Sequence, residues 1–570
     1  MAQQEVKMTL NTIKISFPAD LNEKIEKETN IWNDEQKIAR IWKKDASVWQ
    51  NEDEADWLGW LDIAGEELAR SSQYKAFRAD IGAAGFKDVL LMGMGGSSLC
   101  PEVLGITFGK TNFHILDSTV PARIKAVEEM IDIDDTLFIV ASKSGSTLEP
   151  NCFLQYFFDI VSKRKGAENA GKQFVAITDP GSKLEAKAKA DGFRYLFDGK
   201  PSIGGRFSAL SAFGMTAAAS MGIDVEAFLT RSETMTNACR NASVTENPGA
   251  QLGVLLGVCQ RNGRDKLTLH LAPEFYDLGA WLEQLIAEST GKHGVAIIPV
   301  DREPLEEVSV YGKDRVFAFI GPNDDANLDA QFDEFSTFGH PSIRIGIDSA
   351  ERLGQEFFRW EFATAVAGSI MGINPFNQPD VESAKVEARK LTDEYETDGK
   401  LPDETPFFEA DGFKLFAPAE YAAKLNAAVT ESTTESLLAA HFDTVGSGDY
   451  FALLAFIEMN SANEDRLQAI REKVLRSMHA ATCLGFGPRF LHSTGQAYKG
   501  GGGNGVFLQI TGDDASDIAV PGQKYTFGVV KDAQARGDFQ VLADRSRRVL
   551  RVHLPADIEQ GLEKLLSMIG

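Results

Sequence analysis

From Lys87 onward, short apolar runs alternate with stretches of helical spacing. Val89–Met92, Phe113–Leu116, Thr136–Ala141 and Phe174–Thr178 are apolar along their length rather than at every second residue. Such runs suit strands covered on both faces. Leu99–Leu104 and Val120–Ile131 lie between them and suit helices, so the pattern predicts a doubly wound parallel sheet. The alternation returns at Lys266–Leu271, Gly294–Pro299, Val316–Ile320 and Ser342–Ile347, with helices predicted over Leu278–Ser289 and Gln355–Met371. This second α/β unit reads as a structural duplicate of the first.

The flanks read differently. The first 70 residues look helical, with apolar and charged positions mixed over Leu21–Trp42, and Trp57 and Trp60 read as packing residues. Thr392–Glu409 is acidic, holds Pro402 and Pro406, and reads as a linker. Beyond it, Arg466–His479 suits a helix and Gly505–Ile510 and Val549–Leu554 suit strands, while the glycine run Gly500–Gly503 reads as a mobile loop. The predicted divisions are a helical segment at 1–70, α/β domains at 71–230 and 231–400, and an α/β C-terminal region at 401–570.

Composition narrows the function. At 570 residues, 43% hydrophobic and 25% charged, the chain reads as an ordinary globular protein of several domains. A net charge of −25 argues against nucleic acid as a partner, which needs a basic face. Any site for an anion must therefore reverse the field locally with lysine, arginine and backbone N–H groups. The five cysteines are scattered without a CxxC pair, which suits a reducing compartment without structural zinc. The opening Met1–Lys7 lacks an apolar core, so no signal peptide is expected. No apolar run approaches a membrane span of about 20 residues. A cytoplasmic protein with no membrane partner is the expectation.

Two glycine and hydroxyl turns carry the first chemical signal. Gly93–Ser98, with Gly96 and Ser97, follows a predicted strand and precedes a helix; its glycines let the backbone approach a ligand and the helix offers free N–H groups to an anion. Ser142, Lys143, Ser144, Ser146 and Thr147 surround Gly145 after another strand, and such donors can replace the water around phosphate oxygens. Either turn alone is also compatible with a ligand-free strand–helix connection or an N-capping cluster. Neither a GxxxxGK[ST] loop nor the dinucleotide fingerprint occurs, although Asp117 lies near the distance of that fingerprint's acid.

Further along, Arg206 beside Gly204 and Gly205 could hold a developing negative charge. Glu288 ends a predicted apolar helix, where burial would suit a general base, and Gln284 lies one turn earlier on the same face. Gln378 and Lys385 flank the turn and helix start of Asn374–Lys385. Among eight histidines, His340 before a predicted strand and His492 near the glycine run are both candidate acid–bases. Each of these residues has an ordinary structural use as well. No HxH, HExxH or GxSxG pattern appears, so neither a metal nor a serine nucleophile is expected.

The ordered set Gly93–Leu99, Ser142–Glu149, Gly204–Ser208, Gln284–Lys292 and Asn374–Lys385 resembles the phosphoglucose isomerases. Together with Asp45–Trp49, Trp57–Asp62, Gly339–Ser342 and Gly354–Trp360, it is similar to the isomerase half of bacterial transaldolase–isomerase fusions. No room exists for a transaldolase barrel of about 250 residues, so transaldolase activity is not expected. The resemblance implies two sugar-isomerase (SIS) domains, with the C-terminal region an addition to compact family members. It implies reversible glucose 6-phosphate and fructose 6-phosphate interconversion through a cis-enediol, without cofactor or metal. Mannose 6-phosphate isomerisation and non-catalytic sugar-phosphate sensing are the alternatives.

By the same resemblance Gly96, Ser97, Ser142, Lys143, Ser144 and Thr147 hold the phosphate, and Glu288 carries the proton between C2 and C1. Arg206 steadies the enediolate, Gln284 and Gln378 position hydroxyls, and Lys385 with a histidine, His340 or His492, opens the ring. A homodimer with the site completed across the subunit interface is also implied.

Overall fold

The structure, a computed structural model, describes residues 9–569; the opening stretch read for a leader lies outside them. Three sheets organise the described residues. The first strand, β1 (Thr12–Ser16), joins a sheet formed much later in sequence. The first sheet holds β2 (Asp88–Met92), β3 (Phe113–Leu116), β4 (Thr136–Ala141), β5 (Phe174–Thr178) and β6 (Tyr195–Asp198), all parallel in the order β3-β2-β4-β5-β6. The second holds β7 (Lys266–Leu271), β8 (Ile298–Asp301), β9 (Arg315–Gly321) and β10 (Ser342–Gly346), with β1 antiparallel on its edge, in the order β1-β10-β9-β7-β8. The third holds β11 (Phe408–Ala410), β12 (Phe413–Phe416), β13 (Tyr450–Phe456), β14 (Ala481–Phe486), β15 (Gly505–Thr511) and β16 (Arg548–His553), in the order β11-β12-β16-β15-β13-β14.

Strand order reveals a repetition. The parallel cores run β3-β2-β4-β5, β8-β7-β9-β10 and β14-β13-β15-β16, which is one order used three times. In each, the chain leaves the first strand to one side and returns on the other. That reversal opens a crevice at the carboxyl ends of the strands. The expectation of two such units plus an α/β region thus becomes three sheets with the same parallel core.

Local sequence explains the elements. β4 and β13 are buried at every position, as strands covered on both faces must be. The Thr526 hydroxyl accepts from the Val529 N–H, 3.2 Å, to start helix Phe527–Asp544. Helix Leu353–Met371 stops at Gly372, whose φ of +75° favours glycine.

Three expectations change. The N-terminal segment is not wholly helical, because Ile13 and Ile15 alternate with polar residues and form β1. Thr392–Glu409 is not a linker throughout: helix Pro379–Asp398 runs through its first part, packed so closely that a Cβ on Gly537 would lie 3.0 Å from the Ala388 nitrogen. Gly500–Gly503 is not a free loop. Helix Gly495–Gly500 is buried, and a Cβ on Gly500 would come within 2.5 Å of the Gly291 carbonyl, so glycine serves close approach there. Among the described residues no helix is long and apolar enough to cross a membrane.

Buried polar joints fasten the sheets to one another. Arg315, on β9, makes a two-pronged pair with Glu303 at 2.8 and 3.1 Å, both side chains fully buried. The same Glu303 oxygen accepts from the Thr482 N–H at 2.7 Å and its hydroxyl at 2.9 Å, on β14. Removing one partner strands the other's charge in a dry interior. Arg315→Met is expected to destabilise the fold by about 3–5 kcal/mol, read as a fall in the urea midpoint, and Glu303→Met added to it should return part of the loss. A double variant as unstable as the sum of both singles would show that the stranded charge is not the cause.

Candidate active site

A cavity of about 370 Å³ opens at the carboxyl ends of β2 and β4, the crevice of the first sheet. Gly95, at φ +56°, turns the chain after β2, and Gly145, at φ +63°, does the same after β4. Gly96 is fixed by contact: a Cβ there would lie 2.0 Å from the Gly205 carbonyl oxygen. This approach locks the Gly93–Ser98 turn against Gly204–Ser208, which carries Arg206.

The hydroxyl turn completes this wall. Ser142 Oγ donates to Thr147 Oγ1 at 3.3 Å, and Ser144 and Ser146 hydroxyls pair at 2.9 Å. Thr147 precedes helix Leu148–Lys165 but its side chain caps none of the helix N–H groups. Those N–H groups carry the positive end of the helix. Lys143 Nζ pairs with Asp179 and reaches the Pro201 carbonyl at 3.3 Å. Asp117 is held by Arg489 at 2.9 Å and by the Ser98 hydroxyl at 3.2 Å, which occupies the carboxylate that mimicked a nucleotide-binding acid.

Helix Leu278–Thr290 of the second unit provides the acid. Its Trp281 packs edge-on against Phe357 at 4.8 Å, which orients the helix. Glu288 is 7% exposed at the cavity. One carboxylate oxygen accepts from Gln284 Nε2 at 3.1 Å and the other lies 3.5 Å from Arg206. Arg206 itself is 2% exposed and donates to Ser289 Oγ at 2.7 Å, Gln378 Oε1 at 2.8 Å and the carbonyls of Pro375 and Asn377 at 2.8 and 2.9 Å. Burial lowers its pKa, and the neighbouring Glu288 opposes that shift. Burial and the Arg206 charge push Lys292, just behind, well below the usual lysine range.

The two histidine candidates separate completely. His492 lines the cavity, and its Nε2 lies 2.8 Å from Glu149 Oε1. Its carbonyl accepts from Gln284 Nε2 at 2.8 Å. Burial alone would raise the Glu149 carboxyl, but the His492 imidazole and, next to it, Lys385 hold it below the usual carboxylate range. His340 is not brought to the cavity. It is 3% exposed among Phe317, Phe335 and Phe338, and burial lowers its pKa to about 4. The physical reason is strand polarity: His340 precedes β10 and so sits at the amino end of a parallel strand, away from the crevice.

Every other predicted residue reaches the cavity: Gly96, Ser97, Ser142, Lys143, Ser144, Thr147, Arg206, Gln284, Glu288, Gln378 and Lys385. Lys143, Arg206 and Lys385 face it against two carboxylates, Asp179 and Glu288, so the lining reverses the chain's overall negative sign. Trp57, expected as a packing residue, lines the cavity, and no role was expected for Glu149 or for Gln534, whose Nε2 donates to Glu149 Oε1 at 2.7 Å. An acid two residues past the hydroxyl turn was the available signal for Glu149.

Residues 69–302 match the family model described as phosphoglucose isomerase. A glucose-6-phosphate isomerase of Methanocaldococcus jannaschii is 25% identical over 58% of this chain and 88% of its own length. One of Lactobacillus helveticus is 29% identical over 58% of this chain and 85% of its own. Among solved structures, a hypothetical protein from Thermus thermophilus shares the fold with a TM-score of 0.59 and 24% identity, covering 66% of this chain and 99% of that one. A glucose-6-phosphate isomerase from Chlamydia trachomatis shares it with a TM-score of 0.51 and 22% identity, over 62% of this chain and 77% of that one. Over residues 69–302, which carry the glycine and hydroxyl turns, Arg206, Gln284 and Glu288, the chain is similar to the phosphoglucose isomerases.

Proposed function

We propose that the protein is a glucose-6-phosphate isomerase, interconverting glucose 6-phosphate and fructose 6-phosphate in glycolysis and gluconeogenesis. The observation that carries this reading is the meeting of Glu288 with the Ser142–Thr147 turn in one cavity. A sensor would need the anion cradle but has no use for a carboxylate held against an arginine at its centre. Five buried free cysteines suit a cytoplasmic setting.

In this reading the phosphate sits on the hydroxyls of Ser142, Ser144 and Thr147, near Ser97 and the N-terminal end of helix Leu148–Lys165, with Lys143 adding charge. His492, oriented by Glu149, moves the proton that opens the ring, with Lys385 beside it. Glu288 then takes the proton from C2 and returns it to C1, while the proton lost from the C2 hydroxyl is balanced by one gained at the C1 oxygen. As the carbonyl oxygen gains negative charge, Arg206 stabilises it. The guanidinium is already fixed by four hydrogen-bond acceptors, so little reorganisation is needed when that charge develops. Gln284 and Gln378 hold the sugar hydroxyls.

Glu288→Gln is expected to lower kcat for fructose 6-phosphate by about 10²–10⁴-fold while a sugar-phosphate analogue still binds; unchanged turnover would place the base elsewhere. The test is a coupled assay for glucose 6-phosphate in the presence of EDTA.

Ser144→Ala with Thr147→Ala removes groups that bind phosphate equally in ground and transition states. It should raise KM about tenfold or more with little change in kcat. A fall confined to kcat would contradict the cradle.

His492→Ala should slow the cyclic substrate by about 10²-fold and an open-chain analogue much less. His340→Leu should leave both rates near wild type. Equal slowing of both substrates by His492→Ala would remove it from ring opening.

A further inference from the structure

Beyond lining the cavity, the third sheet is fastened into it by buried polar groups on several sides. The connection from β14 to β15 holds the Arg489–His492 turn and helix Gly495–Gly500. At its start Arg489 pairs with Glu102 and Asp117 of the first unit. Further on, Gln496 is fully buried. Its oxygen accepts from the N–H groups of Asp380 and Val381 at 2.9 and 3.1 Å, and its nitrogen donates to the Gly291 carbonyl at 2.7 Å and to Asp380 Oδ2 at 2.6 Å. Gly291 closes the helix that bears Glu288, and a Cβ there would lie 2.3 Å from the Ala497 Cα. Between these anchors, His492 meets Glu149 through its ring and Gln284 through its carbonyl.

A second contact comes from helix Phe527–Asp544. Gln534, 4% exposed, donates to Glu149 and accepts from the Thr119 hydroxyl at 2.7 Å. Apolar packing runs the same way. Val520, Phe527 and Val530 share a core with Phe138 and Phe153 of the first unit, while Tyr450 and Leu454 share one with Ile298 and Val300 of the second. Displacing the third unit would strand Glu149, Asp380 and Gln496 without their partners, a cost typical of a permanent joint.

The third unit has a crevice of its own at the carboxyl ends of β13 and β15, about 650 Å³. Where the first crevice has glycines and hydroxyls, this one has Glu458, Asp513 and Asp514, and its Lys531 is paired with Asp514 at 2.7 Å. It offers a phosphate no cradle. The unit's contribution to the chemistry therefore lies in the strap that bears His492.

We infer that the third α/β unit completes the isomerase site within a single chain, so that His492 serves the substrate held by the Glu288 and Ser142–Thr147 of the same polypeptide. This rests on the isomerase reading. It departs from the expectation of a site shared across a subunit interface: no second copy has to contribute a residue, whatever assembly the chain forms.

The test mixes two full-length inactive variants, Glu288→Gln and His492→Ala, refolded together from urea at equal concentration, with wild type carried through the same cycle. Each variant is first matched to wild type by circular dichroism. Completion within one chain predicts that the mixture shows only the mean of the two residual activities. A site shared between copies, including one made by exchanging third units, would recover activity toward about one quarter of wild type, one intact site per mixed pair. That recovery would overturn the inference and leave the isomerase reading standing. Wild-type turnover in either single variant would remove the residue assignments and the inference with them.

Discussion

A guanidinium with almost no access to water sits where three segments meet, and their arrangement follows from its needs. Arg206 satisfies its donors with a serine of the acid-bearing helix, a glutamine side chain and two carbonyls of the 374–378 turn. An unmet charge in such a place would cost several kcal/mol, so these segments hold one relative position. Glu288 benefits from that rigidity, because the arginine that faces it cannot turn toward solvent. The close approach of Gly96 to Gly205 carries the constraint onward to the phosphate-side turns.

Much of this was legible in the residues. Runs such as Thr136–Ala141 and Lys266–Leu271 signal buried parallel strands by composition alone, and the structure places strands over both. The glycine and hydroxyl turns were legible because loops after such strands are where ligands bind. What stayed hidden depends on distant partners. β1 pairs with β10, far along the chain, and nothing local in Ile13–Ile15 names that partner. Glu149 looks like an ordinary acid in the first turn of a helix, yet its partners His492 and Gln534 lie 343 and 385 residues away. His340 lies at the amino end of β10 and His492 beyond the carboxyl end of β14, a difference of strand polarity. β14, with small and polar residues in Ala481–Phe486, gave too weak a pattern to show that His492 follows a strand.

The glycine run shows how one composition serves opposite ends. Glycines can loosen a chain by widening its conformational range, or tighten a structure by letting backbones touch. Around Gly500 the second use dominates, since the neighbouring space is filled by Asp380, Gly291 and Gln496. The same residue type that suggested mobility instead allows the His492 strap to lie against the helix carrying Glu288.

Repeating one strand order three times poses a problem of address for a small anion. The protein displays crevices of related geometry, and shape alone would not tell a phosphate which to enter. Sign does: Lys143, Arg206 and Lys385 outnumber Asp179 and Glu288 in the first crevice, while Glu458, Asp513, Asp514, Asp557, Glu559 and Glu563 outnumber Lys531 in the third. On a chain with a net charge of −25, the potential around most of the surface already repels the substrate. The first crevice is then a gap in a hostile field, and the proposed sugar phosphate would be sorted to it by electrostatics before any hydroxyl is recognised.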